Sequence, residues 1–436
     1  MNVREIALRI LDEYEAGGKY INLALSSHLT DGLSREEKAS LTALLYTAVE
    51  KKLTYDYYIC AIAGRSESSI DRHTKNILRL GFCQLVDMNS IPDYAAVNET
   101  VKLCKSKWEK SFVNGVLRAA SLRKNSLPMP DEDKNYRRYL SVKYSFPLGI
   151  VKHFDSLFGR ENTERILWLY NNEKYTDVTV NTLKNTTDEY VLTLGRYGIA
   201  VQKNGLAPTS LRIGGSVDPQ RLPGFKEGSF FVQDRASAIA DVVLSPEKGH
   251  RIIDVCSAPG GKSFSAAIAS GDDGELYAFD LHDSKLSLIT GGAERLGIRS
   301  VKASQRDALT PDESLLGTAD RVICDVPCSG LGVLGKKPDL RYKDLSAMAE
   351  LPALQLDILT ASAGYLKVGG VLVYSTCTVN PAENEDVVRA FVARNPDYRL
   401  TPFTVGELRA DYGTLTLLPH IHNTDGFFMA KITRIN

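Results

Sequence analysis

The sequence has little cysteine, no excess of either charge and no long apolar run. Its 436 residues carry 53 Lys+Arg against 53 Asp+Glu, a formal net charge of zero. That balance excludes a polycation that holds nucleic acid by bulk attraction, although it is compatible with local basic surfaces. The seven cysteines (Cys60, Cys83, Cys104, Cys256, Cys324, Cys328 and Cys377) are sparse, odd in number and without paired Cys-x-x-Cys spacing. A disulfide scaffold and a structural zinc site are thereby excluded, and no metal is expected. Reduced thiols in a cytoplasmic protein are the economical expectation, which makes a reactive cysteine a candidate for chemistry. No stretch approaches the ~18 apolar residues of a membrane span, so no membrane partner is expected. The opening MNVREIALRILDEYEAGG interleaves charge and apolar residues at helical spacing, where a secretory signal needs an unbroken apolar core. What is present, 43% hydrophobic and 24% charged residues, is globular in texture. At ~150 residues per domain the length suggests two to four domains.

Three textures follow one another. Up to about residue 125 the chain reads as all helix: Ile6, Leu8, Ile10 and Leu11, then Leu41, Leu44, Leu45, Ala48 and Val49, recur near the 3.6-residue period. Further helices are expected over 70–88, 92–106 and 110–123. KNSLPMPDEDKN (124–135), with two prolines and an acidic cluster, reads as a linker. Residues 136–245 are mixed, with strands expected over 177–183 and 189–194 and a helix over 233–244. From about 250 short apolar runs alternate with helical patterns. RIIDVC (251–256), GELYAFD (274–280), ADRVICD (319–325) and GGVLVYSTC (369–377) are separated by helices near 261–270, 284–296 and 352–366. This is the pattern of a doubly wound, mostly parallel α/β sheet, whose ligands bind beyond the carboxyl ends of the strands.

Those ends carry the informative residues. In DVCSAPGGKSF (254–264) a strand closes at Asp254, Pro259-Gly260-Gly261 turns tightly and a helix follows. Glycine lets backbone approach a ligand, and a helix N-terminus offers unpaired N–H groups, so an adenosine cofactor fits this turn. Gly261-Lys262-Ser263 also matches the end of a Walker A loop, but that pattern needs glycine where Cys256 stands. Asp280 ends a strand 19 residues after Gly261, a spacing at which an acidic residue binds ribose hydroxyls. Asp307 falls where the next strand should end and is a candidate acceptor for an adenine amino group. DVPCSG (325–330) and STCT (375–378) each present a cysteine just past an apolar strand. A buried cysteine is usually only a small hydrophobe, but two at neighbouring strand ends beside an adenosine site are candidate nucleophiles. Position alone does not rank Cys328 and Cys377. His420 and His422 lack further ligand candidates and read as surface residues.

The motifs DVCSAPGGK, AFD, DVPCSGLGVLGKKPDLRY, LKVGGVLVYSTCTVNPAENE and DGFFMAKI (425–432), with FVQDRASAIA (231–240) before them, resemble those of the RNA cytosine-5 methyltransferases of the Fmu/Sun group (the NOL/NOP/Sun family). PDYAAVNETV (92–101) and FVNGVLR (112–118) are similar to a NusB-like RNA-binding helical domain. Together they cover nearly the whole chain and resemble the bacterial small-subunit ribosomal RNA methyltransferase subgroup. The resemblance implies a NusB-like domain (1–130), a helical linker region (131–170), a small α+β subdomain (171–232) and a Rossmann-like S-adenosylmethionine-dependent methyltransferase domain (233–436). Departures are modest. Ser257 and Val326 replace common alanines, Lys337 stands where histidine is frequent and Lys285 where arginine is common. Gly291 and Gly292 fall inside a helix, at ~1 kcal/mol each relative to alanine.

The resemblance further implies a monomer that methylates carbon 5 of a cytosine in small-subunit ribosomal RNA, at a loop or single-stranded site from which the base can be unstacked. In that family's pattern Cys377 is the nucleophile that adds to carbon 6, Cys328 helps release the product, Asp325 holds the base edge and Lys262 supports it. S-adenosylmethionine is expected across Cys256, Ser257, Ala258, Pro259, Gly260, Gly261 and Lys262, with Asp280 on its ribose, Asp307 near adenine and Asp325 alongside.

The neutral total divides unevenly. Residues 1–130 carry 18 basic and 15 acidic side chains, net +3; 131–245 carry 15 and 14, net +1; 246–436 carry 20 and 24, net −4. Within 102–124, seven cations face Glu109 alone, net +6. Such a cluster follows a phosphate backbone, unless it is only a solvated helix face. Lys102, Lys105 and Lys110 are the expected RNA contacts there, and Lys336, Lys337 and Arg341 after the DVPCSG turn. An RNA-binding protein without catalysis is the competing reading.

Overall fold

The computed structural model describes residues 2–17, 21, 24, 25, 32–215, 217–343 and 345–436; the ends of the opening stretch, Met1 and Gly18, lie outside them. Contacts group Met1–Asn171 with Lys337–Lys343 in one unit, and Asn172–Lys336 with Asp344–Asn436 in another. Residues expected as a helical linker thus fall in the first unit, and the two expected C-terminal domains fall in the second apart from Asn171 and Lys337–Lys343.

The first unit is helical: α1 (Val3–Glu15), α2 (Arg35–Glu50), α3 (Lys52–Ala63), α4 (Arg72–Phe82), α5 (Asp93–Val101), α6 (Lys107–Leu122), α7 (Tyr136–Tyr144) and α8 (Leu148–Asn172), the last bending at Gly159. Asn2 and Ser34 open α1 and α2 as capping boxes closed by Glu5 and Glu37, which satisfies N–H groups that a helix start leaves without partners. The expected helix 70–88 is α4 followed by one π-helical turn, Cys83–Asp87. Ile6, Ile10, Leu41, Leu45, Ile77, Leu80, Val113 and Leu117 form the core. A Cβ at Gly81 would stand 2.6 Å from a Leu117 methyl, so glycine sets the approach of α4 to α6. In that core the Arg79 guanidinium forks onto both Asp56 oxygens at 2.7 Å and reaches Glu15 at 3.0 Å.

Residues 337–343 also belong to this unit. Tyr342 donates its hydroxyl to the Val49 carbonyl at 2.8 Å. Arg341 is fully buried, donating to the Glu50 carbonyl at 3.3 Å, with its guanidinium carbon 3.9 Å from the Phe146 ring centroid. The expectation that Arg341 holds RNA phosphate is therefore corrected. Its charge is spent inside the helical core, on partners almost 200 or more residues away in sequence.

The second unit holds two main sheets. The smaller is antiparallel, built from β1 (Tyr175–Val180), β2 (Val201–Lys203), β3 (Ser210–Gly214) and β4 (Phe230–Val232) in the order β2-β3-β1-β4. Between β1 and β2 runs α9 (Thr187–Arg196), which corrects the strand expected over 189–194. Val191, Leu192 and Thr193 suit a strand, but Thr186 and Glu189 close a capping box and Tyr190 and Leu194, four apart, are the buried pair. They join Val178, Val180, Leu211, Ile213 and Phe230 in a core of their own.

After α10 (Arg235–Leu244) the chain forms β5 (Arg251–Asp254), α11 (Gly261–Ala269), β6 (Glu275–Asp280), α12 (Leu286–Leu296), β7 (Val301–Gln305), β8 (Ala319–Asp325), α13 (Leu351–Ala363), β9 (Leu366–Thr376) and α14 (Glu385–Arg394). There follow β10 (Tyr398–Leu400), the hairpin β11 (Phe403–Val405) and β12 (Leu408–Ala410), then β13 (Thr414–Leu417) and β14 (Phe427–Arg434). The larger sheet runs β10-β14-β9-β8-β5-β6-β7, with β13 beside β14. The five strands β7, β6, β5, β8 and β9 are parallel, and β14 closes antiparallel on β9. This is the expected doubly wound α/β sheet. From β5 the chain winds one way to β6 and β7, then returns to β8 on the other flank, so the switch point lies at the carboxyl ends of β5 and β8.

Arg341→Ala should destabilise the protein by about 3 kcal/mol in urea unfolding, because it removes the guanidinium 3.6 Å from the Glu50 carboxylate and empties a packed site. A change confined to RNA affinity, with stability intact, would refute the buried role.

Candidate active site

The loop after β5 is built from its own backbone. The Ser257 N–H donates to the Phe279 carbonyl at 2.7 Å, and the Gly260 N–H to the Ser257 carbonyl at 2.7 Å. Gly260 sits at φ 109°, a conformation that favours glycine, and a Cβ there would meet the Phe264 ring at 2.4 Å. The tip of that ring is also met by Gly292, where a Cβ would stand 2.4 Å away. The apparent helix weakness at Gly292 is thus a packing requirement, whereas Gly291 has nothing within 4 Å. Ser257 shares a 2.8 Å hydrogen bond with Ser263, which donates to Asp254 at 2.7 Å. Burial raises the Asp254 carboxyl to about 7, against the lowering effect of that donor.

Asp280, at the end of β6, is buried and accepts from the Ala258 N–H at 3.2 Å and the His282 N–H at 3.0 Å; Lys285 lies 3.6 Å from it. It therefore braces the loop after β5. Asp307, two residues past β7, accepts from the Leu309 N–H at 3.0 Å. The N–H groups of Gly261, Lys262 and Ser263 open α11 with no carbonyl partner among the described residues. An acidic residue at each neighbouring strand end beside a helix start fits a ligand with vicinal hydroxyls and an anionic end.

Lys262 is no solvated lysine. Its ammonium donates to Asp325 at 2.8 Å and to Ser237 at 2.8 Å, 5.3 Å from the Phe427 ring centroid. Burial alone would lower its pKa, but the charges of Asp325 and Asp241 outweigh this and raise it. Asp325 accepts a second bond from the Ser375 hydroxyl at 2.7 Å. β8 pairs with β9 so that Asp325 stands opposite Ser375. Three residues past one and two past the other, Cys328 and Cys377 come together with their sulfurs 3.2 Å apart. Both are partly exposed, whereas Cys83, Cys104 and Cys324 are buried. The hydrogen bond with Cys377, then burial, raises Cys328 well above the usual thiol range.

Sequence reasoning assigned no role to Glu383, which is fully buried between the two cysteine segments. Its carboxylate accepts from the Ser329 N–H at 2.8 Å, from Gln355 at 3.1 Å and from Asn380 at 3.0 Å. Ser329 and Thr378, next to the two cysteines, share a 2.7 Å hydrogen bond. A second missed device is glycine against glycine. The Gly332 N–H donates to the Cys377 carbonyl at 2.9 Å and the Gly426 N–H to the Gly332 carbonyl at 2.9 Å. A Cβ on Gly332 would stand 1.8 Å from the Gly426 carbonyl oxygen and 2.8 Å from that of Cys377. All these residues except Gln355 lie inside motifs already singled out, but only the folded pairing brings them together.

The basic residues divide. Lys102 (paired with Glu99 at 2.6 Å), Lys105, Lys110 and Lys337 are exposed. Lys336 instead lies among Asp177 at 3.4 Å, Asp425 at 2.7 Å and Asp234. Its expectation as a phosphate contact is corrected, because three carboxylates already occupy its charge. These aspartates are the one cluster with metal-ligand proximity among the described residues, and the lysine sits within it. His422 accepts from the Leu418 N–H at 2.9 Å, closing a turn.

Comparison with known proteins adds the following. Residues 241–433 match the family described as 16S rRNA methyltransferase RsmB/F, and residues 1–121 match the NusB family. The probable ribosomal RNA small subunit methyltransferase B of Synechocystis sp. is 35% identical over 100% of both chains. The crystal structure of PH0851 superposes with a TM-score of 0.81 at 27% identity, covering 100% of this chain and 99% of that one. NSun6 from Pyrococcus horikoshii, solved with SFG, shares the fold at a TM-score of 0.61 and 23% identity, over 67% of this chain and 99% of its own.

Glu383→Ala takes the acceptor from the buried Ser329 N–H, from one Gln355 N–H and from the half-buried Asn380, so it should lower stability by about 2 kcal/mol. It should also slow closure of a Cys328–Cys377 disulfide by oxidised glutathione, followed by mass spectrometry of alkylated thiols. Unchanged closure would separate Glu383 from the spacing of the sulfurs. Asp254 yields a pH test. Raised to about 7 in the fold, it keeps a proton that the unfolded chain releases near pH 4. The native state thus binds more protons between those values, and this stabilisation declines as pH rises through the window. Relative to the parent, Asp254→Asn should therefore gain on the order of 2 kcal/mol between pH 5 and pH 8. A difference that is flat with pH would refute the raised carboxyl.

Proposed function

The chain belongs to the family of the ribosomal RNA small subunit methyltransferase B proteins, and from that membership we propose that it methylates carbon 5 of a cytosine in small-subunit ribosomal RNA through a cysteine adduct. It is an S-adenosylmethionine-dependent ribosomal RNA methyltransferase; the finer reading of base, atom and covalent route rests on the paired sulfurs. The observation that carries it is the 3.2 Å approach of two partly exposed thiols at the ends of β8 and β9, beside the Lys262–Asp325 pair.

The residues that would hold S-adenosylmethionine are 256–262, with Asp280 toward ribose and Asp307 toward adenine. When bound, it supplies an electrophilic methyl group on a sulfonium. Carbon 5 of cytosine is a poor nucleophile until a thiolate adds at carbon 6, which gives the ring enamine character. Cys377 is assigned that addition. It lies directly past β9, its carbonyl tied to Gly332 and its sulfur beside Cys328. Cys328, held as a thiol by its raised pKa, has a proton to give at the neighbouring sulfur, which suits a part in product release. Solvent water takes the carbon-5 proton, and the electrons of that C–H bond re-form the carbon 5–carbon 6 double bond. The Cys377 thiolate leaves and takes up the Cys328 proton, which restores the aromatic ring. The Cys328 thiolate left behind recovers its proton from Cys377 when the next base is attacked.

Asp325 offers carboxylate oxygens at the base edge. Cytosine presents an amino donor there where uracil presents a carbonyl, so an acceptor favours cytosine and repels uracil. The Lys262 ammonium at 2.8 Å fixes that carboxylate and offsets charge developing on the ring. Reaching these groups requires an unstacked base, which supports a loop or single-stranded target. The exposed Lys102, Lys105, Lys110 and Lys337 are the proposed phosphate contacts.

Tritium from labelled S-adenosylmethionine should appear in 5-methylcytidine when unmodified small-subunit RNA is the substrate. Cys377→Ala should lower that rate by on the order of 10³ or more and form no denaturant-stable RNA adduct. Cys328→Ala should accumulate the adduct. The reverse pattern overturns the assignment of the two thiols.

A further inference from the structure

Away from the strand ends, α6 presents an aromatic pair to solvent with cations around it. Trp108 is 55% exposed and lies parallel to Phe112, ring centroids 5.3 Å apart at 9°. Arg65, just past α3, sets its guanidinium carbon 5.2 Å from the Phe112 centroid. The fold does not need Trp108 for its core, because α6 is already seated by Val113, Val116, Leu117 and Ala120. A large ring left half in water and ordered by a stacked neighbour is a surface prepared for a flat partner.

The charge around it selects the partner. Lys105, Lys107, Lys110, Arg118 and Arg123 are exposed and form no ion pair among the described residues, whereas Lys102 and Lys124 are paired with Glu99 and Asp93. The one carboxylate of the segment, Glu109, is turned inward, accepting from the Lys105 N–H at 2.6 Å and the Thr74 hydroxyl at 3.1 Å. What faces outward is therefore aromatic and positive, with no exposed carboxylate in the segment to complement a basic partner. Ring stacking with flanking cations is the chemistry that holds single-stranded nucleic acid, since every base has a π face and every linkage a phosphate.

We propose that Trp108, backed by Phe112 and Arg65, is a stacking platform for an unpaired RNA base, with Lys105, Lys107 and Lys110 on the flanking phosphates. This rests on the reading of RNA as the substrate, and adds to it a second point of attachment, remote in sequence from the thiols. The RNA engaged there is single-stranded, because a base within a duplex has no free face.

The chain has two tryptophans, so full-length Trp168→Phe leaves Trp108 as the sole reporter. A fluorescein-labelled 12-nucleotide single-stranded oligocytidylate should quench Trp108 saturably at low salt, and a duplex of equal length should not. In the parent protein Trp108→Ala should weaken that binding about tenfold, or about 1.4 kcal/mol, and Trp108→Phe should retain most of it. With ribosomal RNA, Trp108→Ala should raise KM and leave kcat. The proposal is overturned if anisotropy reports bound oligonucleotide while Trp108 emission stays constant, if no oligonucleotide binds, or if Trp108→Ala binds as the parent does. Constant emission together with self-association abolished by Trp108→Ala would make the face a protein contact instead. Quenching without methyl transfer to any RNA would refute the activity and leave the platform standing; methyl transfer without quenching would do the opposite.

Discussion

The candidate site depends on one parallel pairing, that of β8 with β9. With Asp325 opposite Ser375, the residues that leave the two strands diverge from a common level. Cys328 and Cys377, 49 positions apart in sequence, are thereby delivered to within one sulfur–sulfur contact. A slip of one residue would send one thiol to the other face of the sheet, because side chains alternate along a strand. Much of the surrounding structure secures that register. Ser375 bonds Asp325, Ser329 bonds Thr378 and the Glu383 carboxylate draws in donors from both segments.

On this frame the electrostatics are local and nearly closed. Lys262 is largely shielded while Asp325 is one-third exposed, and such a pair contributes little to stability once desolvation is counted. What it provides is orientation, because the carboxylate is held by a cation on one oxygen and a hydroxyl on the other. Asp254, at the end of β5, and Asp241, whose charge acts on Lys262, are each raised to about 7 chiefly by burial. The mildly acidic net charge of the C-terminal half is thus partly internal, and its effect on an approaching polyanion is weaker than a count of residues suggests.

Strand ends were legible in the sequence because apolar runs of four to seven residues stop at polar or small ones, and Asp254, Asp280 and Asp325 each close a strand. The glycine turn and both cysteines were legible for the same reason. Fine detail failed where a distant partner decides the outcome. Arg341 and Lys336 look like surface cations until Glu50, Phe146 and three aspartates come to them through folding. Glu383 reads as one more acidic residue in PAENE because its three donors come from three segments. Residues 189–194 misled through composition, since a capping box outweighs strand propensity over six residues.

The approach of Gly332 to Gly426 bears on how this region can be probed at all. Backbone meets backbone there with no room for a methyl group, and the Cys377 carbonyl is part of the same contact. Alanine scanning assumes that alanine subtracts a side chain and leaves the main chain in place. At these two positions alanine is an addition, and its first effect is to push apart the loops that aim the proposed nucleophile. A loss of activity there would measure displacement of the main chain, and neither glycine should be read as a participant in the chemistry on that account.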